Sequence, residues 1–413
     1  MKTISSFALG VALALGTMGG AAVVATPAMA AKDKAPTFKL TKEVQAALSE
    51  AQKLQQAGDL NGALAKANEG VAAAKTGDDK FVAGQIVYGV AQARKDQAGL
   101  EQGTQLMLDS GKAPADLKRQ LMQNLAVFAV QKKDYPGALK QFQALNAAYP
   151  NDPDITVSLA EMYQSNRMTP QAVQTLQQAI DAKKATGQPV PESWYQRMLA
   201  VAYDAKRADL AVPASMSLIS AYPSASNWRD SLIIFRDSAR LDEQANLDLM
   251  RLMRTAGALK GESDYYEYAN LAYLKGFPGE AQAVINEGIA AKQLNPGKPT
   301  FAELSRLSSA KVAADKASLP KLASQARAGA NGKLALATGD AYLGYGDYAK
   351  ATELYQVALT KGGVDASTVN TRLGIAQGRA GNKAAADAAL AKVTGEPRAS
   401  LAKYWRAWFG KGA

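Results

Sequence analysis

Few residues in this chain could do chemistry, and they are few in kind. Glu262, Asp264 and Glu267 gather in one short stretch. Paired carboxylates are the machinery of glycoside cleavage, one protonating the leaving oxygen while the other attacks or activates water. Tyr265, Tyr266, Tyr268 and Tyr273 crowd the same stretch. Rings with hydroxyls suit stacking on a sugar chain or a peptide. The 413-residue sequence contains no cysteine and no histidine. Those absences exclude a disulfide, a His/Cys zinc or haem site, a Ser-His-Asp triad, a cysteine nucleophile and a histidine base. Carboxylates, lysine, tyrosine and serine remain, and no cofactor is expected.

The acids have a simpler reading as helix-start residues. Ser263 or Asp264 would cap a helix, and negative charge is favoured at its positive end. Asp78-Asp79 and Asp152 with Asp154 read the same way. No catalytic residue is therefore assigned. The tyrosines either fill space between packed helices or line a groove. Adjacent Tyr265 and Tyr266 cannot both point into one helix pair, so at least one is expected on a groove or surface. Tyr265, Tyr266 and Tyr268 are thus candidate contacts for a partner.

Charge supplies a second candidate surface. From Lys298 to Ala413 there are 17 Lys/Arg against 8 Asp/Glu, a net +9. From Ala31 to Gly297 the count is 30 against 29, a net +1. A basic last third is an electrostatic docking region for an anionic partner. Lys316, Lys321, Arg327 and Lys333 are its expected exposed cations. A protein partner comes first, with acidic polysaccharide or lipid head groups as alternatives; nucleic acid is not expected for an exported chain.

The elements that must position these residues show in a spacing. A small residue stands twelve positions ahead of an alanine in Ala51/Ala63, Ala126/Ala138, Ala160/Ala172, Ala269/Ala281, Gly339/Ala351 and Gly374/Ala386. Ala126 to Ala160 is 34 residues, and Gly339 to Gly374 is 35. A period in the thirties marks a helical repeat array. Small residues let two antiparallel helices approach at their crossing. The clearest copy places Gly339 and Tyr342 on a first helix over 333–344 and Gly346-Asp347 in a turn. Tyr348, Ala351, Tyr355 and Ala358 follow on a second helix over 348–361. A second copy runs through Leu125-Ala126, Asp134-Tyr135, Ala138, Phe142 and Tyr149-Pro150, with Lys133 in place of the turn glycine.

These copies resemble the tetratricopeptide repeat family over roughly residues 41–395, with degenerate copies near 79–110, 225–256 and 299–329. The resemblance implies an all-α fold: a right-handed α-solenoid of antiparallel helix pairs, about nine units, closed by a C-terminal capping helix. It also implies a protein-binding scaffold rather than an enzyme. A carboxylate-only glycan-cleaving protein is the remote alternative.

The two ends complete the expected organisation. Lys2, the apolar run Phe7–Leu15 and Ala28-Met29-Ala30 have the form of a cleaved signal peptide over 1–30. No cysteine follows it, so it is not of the lipoprotein type, and a periplasmic location is expected. A flexible leader spans 31–40, repeats span 41–297, a degenerate basic helix pair 298–330, and repeats again 331–395. Over 396–413, Leu401, Tyr404, Trp405, Trp408 and Phe409 fall at helical spacing. They suit either a cap over the open end of the stack or a helix lying on a membrane.

Overall fold

The small residues of the predicted crossings are buried. Ala51, Ala63, Ala126, Ala138, Ala160, Ala172, Ala269, Ala281, Ala351 and Ala386 are all buried, as are Gly339 and Gly374. In the computed structural model, which describes residues 37–410, every regular element is an α-helix and no strand occurs among the described residues. The candidate signal peptide and residues 31–36 of the leader lie outside the described residues.

The helices fall into two compact units, divided between Gln188 and Pro189. The first holds α1 (Lys42–Gln56), α2 (Leu60–Ala73), α3 (Gly77–Arg94), α4 (Gln97–Asp109), α5 (Ala115–Gln131), α6 (Tyr135–Ala148), α7 (Pro153–Ser165) and α8 (Thr169–Ala185). They pair consecutively, and each pair leans on the next. The second opens with α9 (Glu192–Asp204), α10 (Ala208–Ala221), α11 (Ala225–Ala239), α12 (Glu243–Thr255), α13 (Gly261–Leu274) and α14 (Pro278–Ala290). It continues through α15 (Pro299–Ala328), α16 (Lys333–Gly344), α17 (Tyr348–Lys361), α18 (Ala366–Arg379), α19 (Lys383–Leu390) and α20 (Arg398–Phe409). Nine helix pairs plus α15 and α20 account for the described helices, and α16 and α17 have the expected bounds.

The turns between paired helices follow from local backbone chemistry. Gly346 has φ +79°, a conformation that costs glycine nothing, and Asp347 then caps α17 by accepting from the Lys350 amide at 3.1 Å. Lys133 adopts the same left-handed conformation without being glycine, at φ +60°. Lys95, Arg167, Lys206, Arg240 and Lys292 do likewise. A cation at that point faces the helix's unpaired carbonyls, which favours it electrostatically.

The structure departs from the sequence reading in four places. The basic stretch 298–330 is one helix, α15, not a pair. The helix runs through Pro320; that proline is exposed, so the carbonyl its missing N–H leaves free can face water. Residues 37–40 of the leader are held rather than loose. Phe38 is buried on Phe81 with ring centroids 4.8 Å apart, and the Lys39 and Thr41 amides donate to Asp78 and Asp79 at 2.9 and 2.8 Å. The copy near 79–110, lacking the alanine pattern, makes a very close crossing instead. A Cβ on Gly84 would lie 2.9 Å from the Gly103 carbonyl, and one on Gly103 would lie 2.7 Å from that of Gly84. Finally, α20 does more than cap. Besides α18 and α19 it packs on α10 and α12. Trp408 meets Trp228 edge to face at 5.4 Å, and Tyr404 meets Phe235 at 5.2 Å. Its aromatic face is therefore occupied by protein and is not free to lie on a membrane.

Candidate functional site

The acidic group near the start of α13 is built into ion pairs. Asp264 accepts from the Lys260 amide at 2.9 Å and pairs with Arg229. Neither Asp264 nor Ser263 is the N-cap, a position held by Lys260. Glu262 pairs with Lys298, and Glu267 with Arg236 at 3.1 Å. Of the other acids expected to cap, Asp152 is the N-cap of α7 with Asp154 in its first turn, whereas Asp78 and Asp79 lie inside the first turn of α3, whose N-cap is Thr76 and whose capping box Asp79 completes.

The candidate partner contacts divide. Tyr265 and Tyr268 are buried and so face no partner. Tyr265 packs into the core, where its ring lies against Gly288, and Tyr268 donates to Glu280 at 2.7 Å. Tyr266 is half-buried, edge-on to Phe301 at 5.7 Å. Lys316, Lys321, Arg327 and Lys333 are all exposed. Lys316 sits 4.9 Å from the Tyr345 ring centroid, and Arg327 grips Glu353 at 2.7 Å.

Sequence reading missed the largest polar assembly in the second unit, a buried network centred on α12. Arg251 donates to Glu280 of α14 through Nε at 2.8 Å and Nη2 at 2.7 Å, and to Asp248 at 2.9 Å. Arg372 of α18 bridges Asp248 at 3.2 Å and Asp340 of α16 at 2.6 Å, and also reaches Gln244. Arg398, opening α20, donates to Asp248 at 3.0 Å. Tyr355 donates to Asp340 at 2.8 Å. The only sequence signal was the charge of these residues on otherwise apolar helix faces.

Electrostatics separate the three acids. Burial pushes the Asp248 carboxyl up, but Arg372, Arg251 and Arg398 around it more than offset this and hold it below its ordinary value. Glu280 is likewise held down, by Arg251 and the Tyr268 hydroxyl against burial. Asp340 has one guanidinium partner, and there burial wins and raises it. Each carboxylate in this network accepts from at least two donors on other helices or its own, so the network's evident work is to join helices.

Beside the network lies a small cleft of about 40 Å³, lined among others by Arg251, Arg254, Thr255, Tyr348, Arg379 and Trp405. Arg254 pairs with Glu287 at 2.7 Å. Arg379 reaches only hydroxyls, Tyr348 and Thr255, each at 3.1 Å, and meets no carboxylate among the described residues.

No protein-family model matches this chain, and no curated protein matches it. Solved structures do. One is the Naa15/Naa10 complex bound to HypK-THB, at 16% identity and TM-score 0.33, covering 87% of this chain; the chain spans 64% of that one's length. Another is a tetratricopeptide repeat protein from Parabacteroides merdae, at 11% identity and TM-score 0.29, covering 79% of this chain and 98% of that one. A third is PilF of Pseudomonas aeruginosa, at 12% identity and TM-score 0.25, covering 64% and 97%. At these identities and scores, nothing about partner or activity transfers to this chain.

Proposed function

We propose that this chain is a non-catalytic scaffold, exported to a bacterial periplasm, that binds another protein electrostatically through its basic last third. One observation carries the reading: where the charge sits. Buried Arg372 and Arg398 set against buried Asp340 take up a single unit of the net +9 between 298 and 413. The other eight units belong to residues outside that buried core, Lys316, Lys321 and Lys333 among them. An uncompensated positive surface steers an acidic partner and governs mainly the rate of association. The resemblance of the repeats to tetratricopeptide units adds that the partner is a protein. Ala28-Met29-Ala30 supports export.

The test replaces Lys316, Lys321, Arg327 and Lys333 with glutamine and follows capture of partners from an envelope fraction. Association is expected to slow in the variant, and in the parent to weaken as salt rises from 0.1 to 1 M, where the Debye length falls from about 10 to about 3 Å. Salt-independent capture, or an unchanged rate in the variant, refutes the basic docking surface. The same fractions, with acidic polysaccharide and anionic vesicles added separately, tell a protein partner from the two alternatives. N-terminal sequencing of envelope-derived protein is expected to start at Ala31; a start at Met1 refutes cleavage.

A further inference from the structure

The cations of α15 differ in how they are satisfied. Lys298 at its start, Arg306 and Arg327 pair with Glu262, Glu303 and Glu353. Lys311, Lys316 and Lys321, in its middle, pair with no carboxylate among the described residues. Asp315 is the other acid of the helix, and it accepts from the Tyr345 hydroxyl at 2.6 Å. Three ammonium groups thus stand against one carboxylate. From 309 to 318 no residue of α15 is buried, so this middle is the part of the helix most open to a partner.

Two of the three ammonium groups are held in place. Lys311 lies over the Tyr273 ring of α13, 4.5 Å from its centroid, and Lys316 lies over the Tyr345 ring, just past α16, at 4.9 Å. A ring face attracts one side of an ammonium and leaves N–H donors for another partner. The Tyr345 ring is itself fixed, by its bond to Asp315 and by Gly279, where a side chain would collide with it. Donors fixed in advance lose less freedom on binding than lysines that swing in solvent. Five residues of α-helix turn through about 140°, so Lys311 and Lys316 leave α15 on different flanks. The outward face between them is short-chained: Ala310, Ala313, Ala314 and Ala317 are all exposed. Next to Tyr273 stands Leu274, 70% exposed, the most exposed large apolar side chain among the described residues.

We propose that the middle of α15 seats an acidic peptide segment of the protein partner, with its carboxylates on Lys311 and Lys316 and an apolar side chain on Leu274. The proposal rests on the basic-surface reading and narrows it: the partner's acids are set on two fixed lysines instead of being spread over the whole last third. A bilayer is matched less well. One leucine is a small anchor for it, and the two lysines are fixed on different flanks of one helix rather than free to reach a common plane.

The test measures, by fluorescence anisotropy at low salt, how full-length protein binds a labelled peptide that alternates glutamate with glycine around one leucine. Lys311→Gln combined with Lys316→Gln is expected to weaken binding about tenfold. Lys321→Gln combined with Lys333→Gln removes the same charge outside the seat and is expected to weaken it about twofold or less. Leu274→Ser is expected to weaken this peptide about fivefold and to leave unchanged a peptide with glycine in place of the leucine. All five side chains are exposed, and unaltered denaturation midpoints check that the fold is kept. Equal weakening by the two double variants overturns the seat and leaves the basic surface standing. Binding indifferent to both double variants and to salt overturns both. No binding to the parent protein overturns the seat, as does an unchanged affinity in the Leu274→Ser protein. Anionic vesicles bound more tightly than the peptide, and lost with Lys311→Gln and Lys316→Gln, overturn the peptide in favour of lipid.

Discussion

The two units of this protein use one repeat in opposite ways. In the first, side chains join near neighbours in sequence: Lys39 to Asp78, or Tyr149 to the carbonyl of Ala115, residues 39 and 34 apart. Its close crossing of Gly84 on Gly103 brings backbone against backbone, within one consecutive helix pair. In the second, Asp248 binds Arg372 and Arg398 across 124 and 150 residues, and Ser215 bonds Tyr404 across 189. A stack whose repeats touch only their neighbours behaves as a nearly one-dimensional chain of separable terms. Links between its first and last helices make the second unit stand or fall together, as a globular domain does.

Removing α20 should test that contrast most severely. Leu401, Tyr404, Trp405 and Phe409 are buried, and each such side chain contributes on the order of 1.5–3 kcal/mol. Together they rival the whole stability of an ordinary domain, about 5–15 kcal/mol. A chain ending at Pro397 is expected to lose hydrogen-exchange protection throughout 189–397 while α1–α8 keep theirs. Loss confined to α18 and α19 would make the second unit as linear as the first.

Asp248→Asn should come next. It leaves three buried guanidiniums short of their shared carboxylate, and breaking a buried pair costs about 3–5 kcal/mol. Protection is expected to fall in α12, α18 and α20 together. Acid should mimic the substitution. Asp248 and Glu280 are held below their ordinary 3.8 and 4.5, so their stabilisation is complete above those values and is lost as pH falls through the lower folded-state ones. Asp340, raised above its ordinary 3.8, works in reverse and favours the folded state as it takes up its proton. Acid titration followed by unit-resolved exchange should therefore show the second unit weakening in the Asp248 range, and Asp340→Asn should move that onset little.

Gly84→Val is expected to cost about 1–3 kcal/mol through overpacking. The damage should stay with α3, α4 and their immediate neighbours, and a midpoint shift in α9–α20 would contradict the separability of the first unit. The smallest effect runs the other way. Lys133→Gly removes a left-handed non-glycine residue, a strain of about 1–2 kcal/mol, partly offset by glycine's greater entropy when unfolded. A gain of up to about 1 kcal/mol is expected in the α5–α6 pair by chemical denaturation.

What could be read from residues alone divides along the same line. Ala126/Ala138 and Gly339/Ala351 were legible because a crossing between consecutive helices is a local pattern with a fixed period. Gly84/Gly103 was not, because its close approach uses another register. Pro320 lies inside α15, although proline ordinarily ends a helix, because which way its face points is not a local property of the sequence. The aromatic spacing of 401–409 announced a helix, but nothing in it names Trp228 or Phe235, more than 160 residues earlier, as the surface it covers. Glu262, Asp264 and Glu267 looked like a chemical site because acids cluster in both enzymes and ion-paired helices, and only Arg229, Arg236 and Lys298 distinguish the two. Asp248 and Arg372 lie 124 residues apart, and no local pattern in α12 or α18 pairs one with the other.

The last helix also sets an order of events. A ribosome or an export channel delivers a chain from its N-terminus, and the first unit can finish each repeat as soon as the next emerges. The second cannot. Trp228, Phe235 and Asp248 stand ready long before Arg398, Tyr404 and Trp408 exist, so its interior stays open until α20 arrives. Such exposed, half-built surfaces are what holdase chaperones recognise and what aggregation begins from. A stop before α20 would thus spare the first unit and leave the second without the helix that closes its interior.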